Sequence, residues 1–388
     1  MDVLTFQEML TDRHFPDMKK LKYKYKDAWF EEFVDILKNT YYKPLPVNNF
    51  RGTPIAYLPD YCRVNLNTAK QLLPRRRTAF DPATLAEEII ATAHIESIDF
   101  SRESVRHILQ SQPPKDDEEE KILGLKQGLE FIADPDNAIT EDNLYRLYQL
   151  AIGTHLEPED LLPEGEHYRN NVVFIVGEEL VHSGLDHNRL PEAMQQLLRF
   201  VHTRDNIDDL TKASILHFCI AYYHPYFDGN GRMARLLHLW YLVQQGYGSA
   251  LFLPFSQFIA ESKTQYGKAF ELIEANEKLT GTLDVTPFIQ YISSHVYDRI
   301  AETPPATSSS VDQCYEAALA SGGITQKEAL LWDFVRQNYG TEPFSTKRLQ
   351  HDYGDAAYAT IRAFVQKFEA LDLLQCHPFS NRPKYQVK

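Results

Sequence analysis

The chain has 388 residues, an apolar fraction of 43% and a formal net charge of −14. That length and apolar content predict two or three structural units with a sizeable core, and the acidic balance excludes a dedicated nucleic-acid coat, leaving such contacts to a locally basic region. Cys62, Cys219, Cys314 and Cys376 stand far apart without a CxxC pair, which argues for reduced thiols and against a disulfide framework or a thiolate metal site.

In chain order, "MDVLTFQEMLTDRHF" lacks a basic region leading into an apolar run, and apolar stretches such as "LLHLWYLV" fall short of a membrane span. A soluble, cytoplasmic protein without membrane contact is expected. Residues 1–79 read as an N-terminal helical region, with a helix through "KDAWFEEFVDIL" and a Pro-rich connection at "YYKPLPVNN". Over 80–300, apolar residues recur three and four apart, so the expected class is mainly α. Asp81 as cap and Pro82 at the first helical position predict a helix over about 82–97. "SQPPKDDEEEK" reads as a turn and a solvated, acidic helix start.

Val172, Val173, Phe174, Ile175 and Val176 break the helical period between Asn170-Asn171 and Gly177, which predicts a short strand or hairpin over about 170–183. "LTKASILHFCIAYYHPY" predicts a helix ending near Tyr223, because Pro225 disfavours helical geometry at His224. The next helix runs from about Gly231 to Gln245 and stops at Gly246. His217, Trp240 and Tyr241 are expected in the core. Residues 301–322 begin rich in Pro, Ser and Thr and read as a linker. Over 323–388, three helices followed by a hairpin have the order of a winged helix-turn-helix.

The loop between the two apolar helices, "HPYFDGNGRMAR" (224–235), concentrates the chemistry. Gly229 and Gly231 permit close backbone approach, so the amides of Gly229, Asn230 and Gly231 can form an anion nest at a helix N-terminus. Arg232 and Arg235, three apart, bring two guanidinium groups to the same face. A carboxylate beside such a nest, Asp228, repels an anion unless a hard cation lies between them, which points to a Mg²⁺-bound polyphosphate. His224 has the pKa range to take a proton from an incoming hydroxyl. An EF-hand is excluded, since Met233 stands where the loop glycine is needed and Leu239 where its glutamate is needed; the GK(S/T) ending of a Walker loop is also absent.

These residues resemble the signature of the Fic (filamentation induced by cAMP) family, HxFx(D/E)GN(G/K)RxxR. His224, Asp228, Gly229, Asn230, Gly231, Arg232 and Arg235 match it, with Tyr226 where Phe is usual. The resemblance implies a helical Fic core over 80–300 and transfer of AMP from ATP to a target-protein hydroxyl, the chain's own side chains included. It assigns His224 as general base and Asp228 as the Mg²⁺ ligand. The Gly229–Gly231 amides with Asn230 would cradle the phosphates, and Arg232 and Arg235 would neutralise them. "YRNNVVFIVG" is similar to the family's flap, which pairs main chain to main chain with the target. "TAHIES", Thr92 to Ser97, resembles the inhibitory motif (S/T)xxxE(G/N), with Ser97 departing from Gly or Asn. Glu96 paired with Arg235 would keep that arginine from the γ-phosphate.

Two other functions remain open on the sequence. One keeps the site but uses another nucleotide donor or removes AMP from a modified protein; the other is a DNA-binding regulator with the Fic core as ligand sensor. Residues 323–388 carry nine Lys and Arg against seven acids, which permits DNA contact, with Arg382 and Lys384 on the wing and Arg362 on the recognition helix as candidates. Protein docking or dimerisation through the same module stands level with it.

Overall fold

In the computed structural model, which describes all residues except 26, 74–81, 97, 99, 154–155, 157–159, 177–180, 303–309, 340–342, 355 and 378–382, the deepest layer is a pair of helices, Asp209–Tyr223 and Asn230–Gln244, packed along their length. Both are apolar on nearly every side, so neither has a face for water, as befits core helices. Asp208 caps the first by accepting from the Thr211 amide at 2.9 Å. Asp117–Ala133 packs on the second helix, while Leu190–His202 and Thr286–Ile292 pack on the first. His217, Trp240 and Tyr241 are buried in this layer. The described part of the chain is mainly helical, with short two-stranded sheets, and contains no helix long and apolar enough to cross a membrane.

The helix predicted over 82–97 spans Pro82–Ile95; the Asp81 cap lies outside the described residues. The acidic start of Asp117–Ala133 is not wholly solvated. Glu119 is buried and accepts from the Lys115 amide at 2.9 Å, with the His107 ring at the same distance. A carboxylate can be buried there because it serves two donors at once.

Residues 1–73 join 83–302 in one compact unit. Buried polar contacts make the join: Asn276 accepts from the Met18 amide at 3.0 Å and donates to the Pro16 carbonyl at 2.8 Å, and Thr68 donates to the Tyr297 carbonyl at 2.7 Å. The stretch read as a Pro-rich connection holds a strand, Lys43–Asn48, antiparallel to Pro54–Tyr57. Its prolines alternate with Leu45 and Val47, which are buried, so the period-two pattern survives on one face of a two-stranded ribbon.

The second unit is formed by residues 303–388. The linker expected over 301–322 contains a helix, Ser310–Ala320, because Val311, Cys314, Tyr315 and Ala318 recur at helical spacing and pack into this unit's core. The helices Gln326–Tyr339, Thr346–Tyr353 and Tyr358–Ala370 follow, then the antiparallel strands Leu374–His377 and Lys384–Val387. Phe344 bridges to Tyr385 as a further extended segment. Trp332, Phe364 and Phe368 fill the centre; Arg382 lies outside the described residues.

One buried carboxylate stands at the seam between the N-terminal strands and the core helices. Ala56 exchanges main-chain hydrogen bonds with Leu283 and Val285, both 2.9 Å, and Asp284 between them accepts from the Thr286 amide at 2.9 Å and hydroxyl at 2.5 Å. Burial pushes the Asp284 carboxyl up from 3.8 to about 6. With the folded value above the unfolded one, its stabilising contribution is full below 3.8 and is lost as pH rises through about 6. From about pH 4 to about pH 7, wild-type stability in urea should therefore fall relative to Asp284→Asn by on the order of 3 kcal/mol. A difference that stays constant over that range would contradict a buried, titrating carboxyl.

Candidate active site

The turn after Tyr223 is built by incompatible local demands. Pro225 disfavours helical geometry at His224, and the chain leaves the helix with His224 left-handed at φ 54°. A non-glycine residue there is strained and must be held by its surroundings. The His224 amide still donates to the Ile220 carbonyl at 3.0 Å, and ring atom Nδ1 lies 3.1 Å from the Ala221 carbonyl. A carbonyl cannot donate, so Nδ1 carries the proton and Nε2 is left as an acceptor. Burial first, and then the charge of Arg169, hold the imidazole below its ordinary value, while the Ala221 bond and the Glu96 and Asp228 carboxylates act in the opposite direction.

Asn230 makes reciprocal 2.9 Å bonds with the amide and carbonyl of Tyr226. Its side chain thereby shapes the loop. Tyr226 stacks on Tyr148 with centroids 4.0 Å apart, both rings buried. Gly229, at φ 79°, lies so close to Ile152 that a Cβ would approach it to 2.6 Å.

Arg232 and Arg235 are both buried but do not share one partner. Arg232 Nη2 donates to Asp228 at 2.6 Å, whereas Arg235 Nη2 donates to Glu96 at 2.7 Å and more weakly to the Thr92 carbonyl at 3.4 Å. The Nε of each has no hydrogen-bond partner. Two buried guanidinium groups with spare donors suit a ligand carrying several anionic oxygens. The Glu96 carboxylate occupies that position here: a Cβ on Gly231 would lie 2.5 Å from Glu96 Oε1. It thus sits on the first turn of Asn230–Gln244, where the unsatisfied amides and helix dipole favour an anion.

The Asp228 side chain is half exposed. Among the described residues no group of three or more His, Cys, Asp or Glu could hold a metal ion. A lone carboxylate fits an ion such as Mg²⁺ that arrives with phosphates and keeps them as ligands. Phe174–Val176 pairs antiparallel with Val181–Ser183, matching Phe174 to Ser183, Ile175 to His182 and Val176 to Val181. Val172 and Phe174 are exposed, at 53% and 70%; the hairpin tip, 177–180, lies outside the described residues.

Two residues that sequence reasoning passed over hold this arrangement. Glu88 is buried one helical turn before Thr92 and two before Glu96. It accepts from the Ser256 amide at 3.1 Å and from the Ser256 hydroxyl, and Thr92 donates to that hydroxyl oxygen at 3.0 Å. Burial, outweighing the Ser256 bonds, raises its carboxyl. The spacing of four from Thr92 was available as a signal, but an acid in an early helical turn reads equally well as a solvated dipole partner. The other is Arg169, buried beneath the hairpin, which has no local signal in "EHYRNN".

Residues 138–242 match the model of the Fic/DOC family, so this stretch carries a Fic/DOC family domain. The chain is similar to Protein adenylyltransferase Fic of Drosophila ananassae, 27% identical over 218 residues, covering 53% of this chain and 39% of that protein. The protein of the same name from Drosophila melanogaster is 26% identical over 220 residues, with the same shares of 53% and 39%. The chain thus spans about two fifths of the length of these curated relatives. Among solved structures, a Fic family protein from Desulfovibrio desulfuricans G20 aligns with a TM-score of 0.47 at 21% identity, covering 79% of this chain and 87% of that one. Fic-1 of C. elegans, residues 134–508, aligns with a TM-score of 0.43 at 19% identity, covering 76% and 79%.

Glu88→Ala should loosen the Pro82–Ile95 helix by stranding two buried donors of Ser256, at a cost of about 1–3 kcal/mol. Amide exchange along 84–96 should accelerate while that of Asp209–Tyr223 stays slow; unchanged exchange over 84–96 would remove Glu88 from this role.

Proposed function

We propose that the chain is a protein adenylyltransferase that moves AMP from ATP to a hydroxyl side chain of a target protein, and that Glu96 restrains it. The observation that carries this reading is the Glu96 carboxylate lying on the helix N-terminus against Gly231 and bonded to Arg235 at 2.7 Å, beside a histidine whose Nε2 is free to accept a proton. A carboxylate in an anion nest stands where a phosphate belongs, and both cannot be there at once. The Fic/DOC match over 138–242 and the adenylyltransferase relatives support the same reading.

In the transfer, the target hydroxyl oxygen forms a bond to the α-phosphorus, the bond from that phosphorus to the α–β bridging oxygen breaks, and pyrophosphate leaves. His224 Nε2 receives the hydroxyl proton, while Nδ1 stays bonded to the Ala221 carbonyl and keeps the ring oriented. Arg232 and Arg235 neutralise the phosphates, and the first-turn amides hold the nucleotide for in-line attack. Asp228 would hold a Mg²⁺ that arrives with the nucleotide, and the ion would supply charge neutralisation at the phosphates. The exposed edge at Val172–Val176 receives the target as an added strand. Because burial keeps His224 neutral, the acid limb of the rate profile should lie below the ordinary histidine value of 6.5.

The C-terminal unit is read as a winged helix-turn-helix docking module, supported by the helix order and by the Phe344–Tyr385 bridge beside the hairpin. Lys347 and Arg348 on Thr346–Tyr353 and Arg362 on Tyr358–Ala370 are exposed and are the cations such a module would offer to DNA or an acidic partner.

Labelled ATP with Mg²⁺ tests the function. Label on the chain itself or on extract proteins should rise with Glu96→Gly, and His224→Ala in that background should lower it by about 10²–10⁴-fold. Transfer that is indifferent to His224 would overturn the proposal. Loss of AMP from a pre-modified protein that requires intact Glu96 would assign the reverse reaction instead.

A further inference from the structure

Arg169 is almost wholly buried, at 2% exposure, and among the described residues no carboxylate stands within ion-pair distance of it. Among the described residues its acceptors are main-chain carbonyls. Nε donates to His224 at 2.7 Å, Nη1 to Asn171 at 2.5 Å, and Nη2 to Leu185 and, at 3.5 Å, to Tyr223. Asn171 and Leu185 are the two stems of the hairpin; Tyr223 and His224 are the end of the core helix and the strained turn. Main-chain bonds repeat the connection, with the Arg169 amide donating to the Pro225 carbonyl at 2.9 Å and the Leu185 amide to the Tyr223 carbonyl at 3.1 Å. Gly184 closes over the junction, where a Cβ would stand 2.6 Å from Arg169 Nη2 and 3.1 Å from His224 Cβ.

Burying a guanidinium with no carboxylate bonded to it costs stability, and burial pushes this one below its usual range although the charge of Asp186 acts in the opposite direction. Such a cost is tolerated where the planar fork does something that no apolar residue can. Here its planar fork donates to four carbonyls from three separate segments, which a lysine ammonium with three tetrahedral donors cannot reproduce. We propose that Arg169 is a positioning residue that clasps both stems of the hairpin to the backbone of His224, so that the edge receiving the target and the base receiving its proton move as one piece. It acts through His224 and touches no substrate. The inference rests on His224 being the base and the hairpin the target edge.

Two measurements decide it without any activity. The first is amide exchange on the full chain. Arg169→Met should speed exchange at Leu185, Gly184 and Arg169→Met's own amide by about tenfold or more while the Asp209–Tyr223 interior keeps its protection. The second is NMR titration of His224, assigned by His224→Ala. His224 is faced by Arg169 from the hairpin stem, by Glu96 from the inhibitory helix and by Asp228 from its own loop. Arg169→Met removes the cation, so the His224 pKa should rise; Arg169→Lys should leave it depressed yet still loosen the stems. Gly184→Ala, which keeps the charge but crowds Nη2, should loosen the stems in the same pattern.

In a Glu96→Gly background, Arg169→Met and Arg169→Lys should each lower transfer by about a hundredfold while binding of a fluorescent ATP analogue is retained. Exchange that rises uniformly through the core, or a His224 pKa that does not move in Arg169→Met, would overturn the clasp. Absence of transfer in Glu96→Gly itself would count against the adenylyltransferase reading and leave the exchange and titration results to judge Arg169.

Discussion

The positive end of the Asn230–Gln244 helix is the point on which the larger described unit turns. That helix is buried along its length, so its first-turn amides and the two arginines beside them have little water to satisfy them, and an anion must come from somewhere. In this structure it is Glu96, reaching from the Pro82–Ile95 helix across to Gly231 and Arg235. The pair therefore joins two parts of the unit 139 residues apart in sequence. A helix that supplies a surrogate anion is held most firmly while the site is without its own. The interaction that steadies the fold is also the one proposed to restrain the chemistry.

Around this point the unit repeatedly uses buried polar side chains to fix main-chain segments. Glu88 ties the Pro82–Ile95 helix to Ser256, Asn230 closes the loop on Tyr226, Asp284 joins strand to helix, and Arg169 holds four carbonyls. Each replaces the hydration that main-chain groups lose on burial. The loop from 224 to 229 contains a left-handed histidine and a left-handed glycine, a geometry with no regular ladder of its own. Side-chain bonds supply the missing constraint, and the imidazole is oriented as a result.

Much of this was legible in residue order. The two core helices, the break at Pro225 and the short hairpin follow from apolar spacing, proline chemistry and β-branched residues, while the pairing of Glu96 with Arg235 was implied by the resemblance of Thr92–Ser97 to an inhibitory motif. Other parts were read incorrectly or missed. The prolines of Lys43–Asn48 hid a strand whose apolar face is formed by alternate residues, and the Ser and Thr bias after Glu302 hid the start of Ser310–Ala320. In each case the local preference was real and a longer-range partner outweighed it. The reciprocal bonds of the Asn230 side chain to Tyr226 had no signal in the loop's residue order.

What the sequence determined by itself is the chemistry of the 224–235 loop: a base, an anion nest, two guanidinium groups and a carboxylate within twelve residues, close enough that chain connectivity alone keeps them together. Only the tertiary structure decided which groups meet across long separations. Arg169 under the hairpin, Glu88 against Ser256 and residues 1–73 packed into the same unit as 83–302 depend on burial and on donors that become unsatisfied only after the chain has collapsed. Spacing along a helix or strand encodes neighbours a turn away; it carries no record of which distant carbonyl will lack a partner once water has been removed.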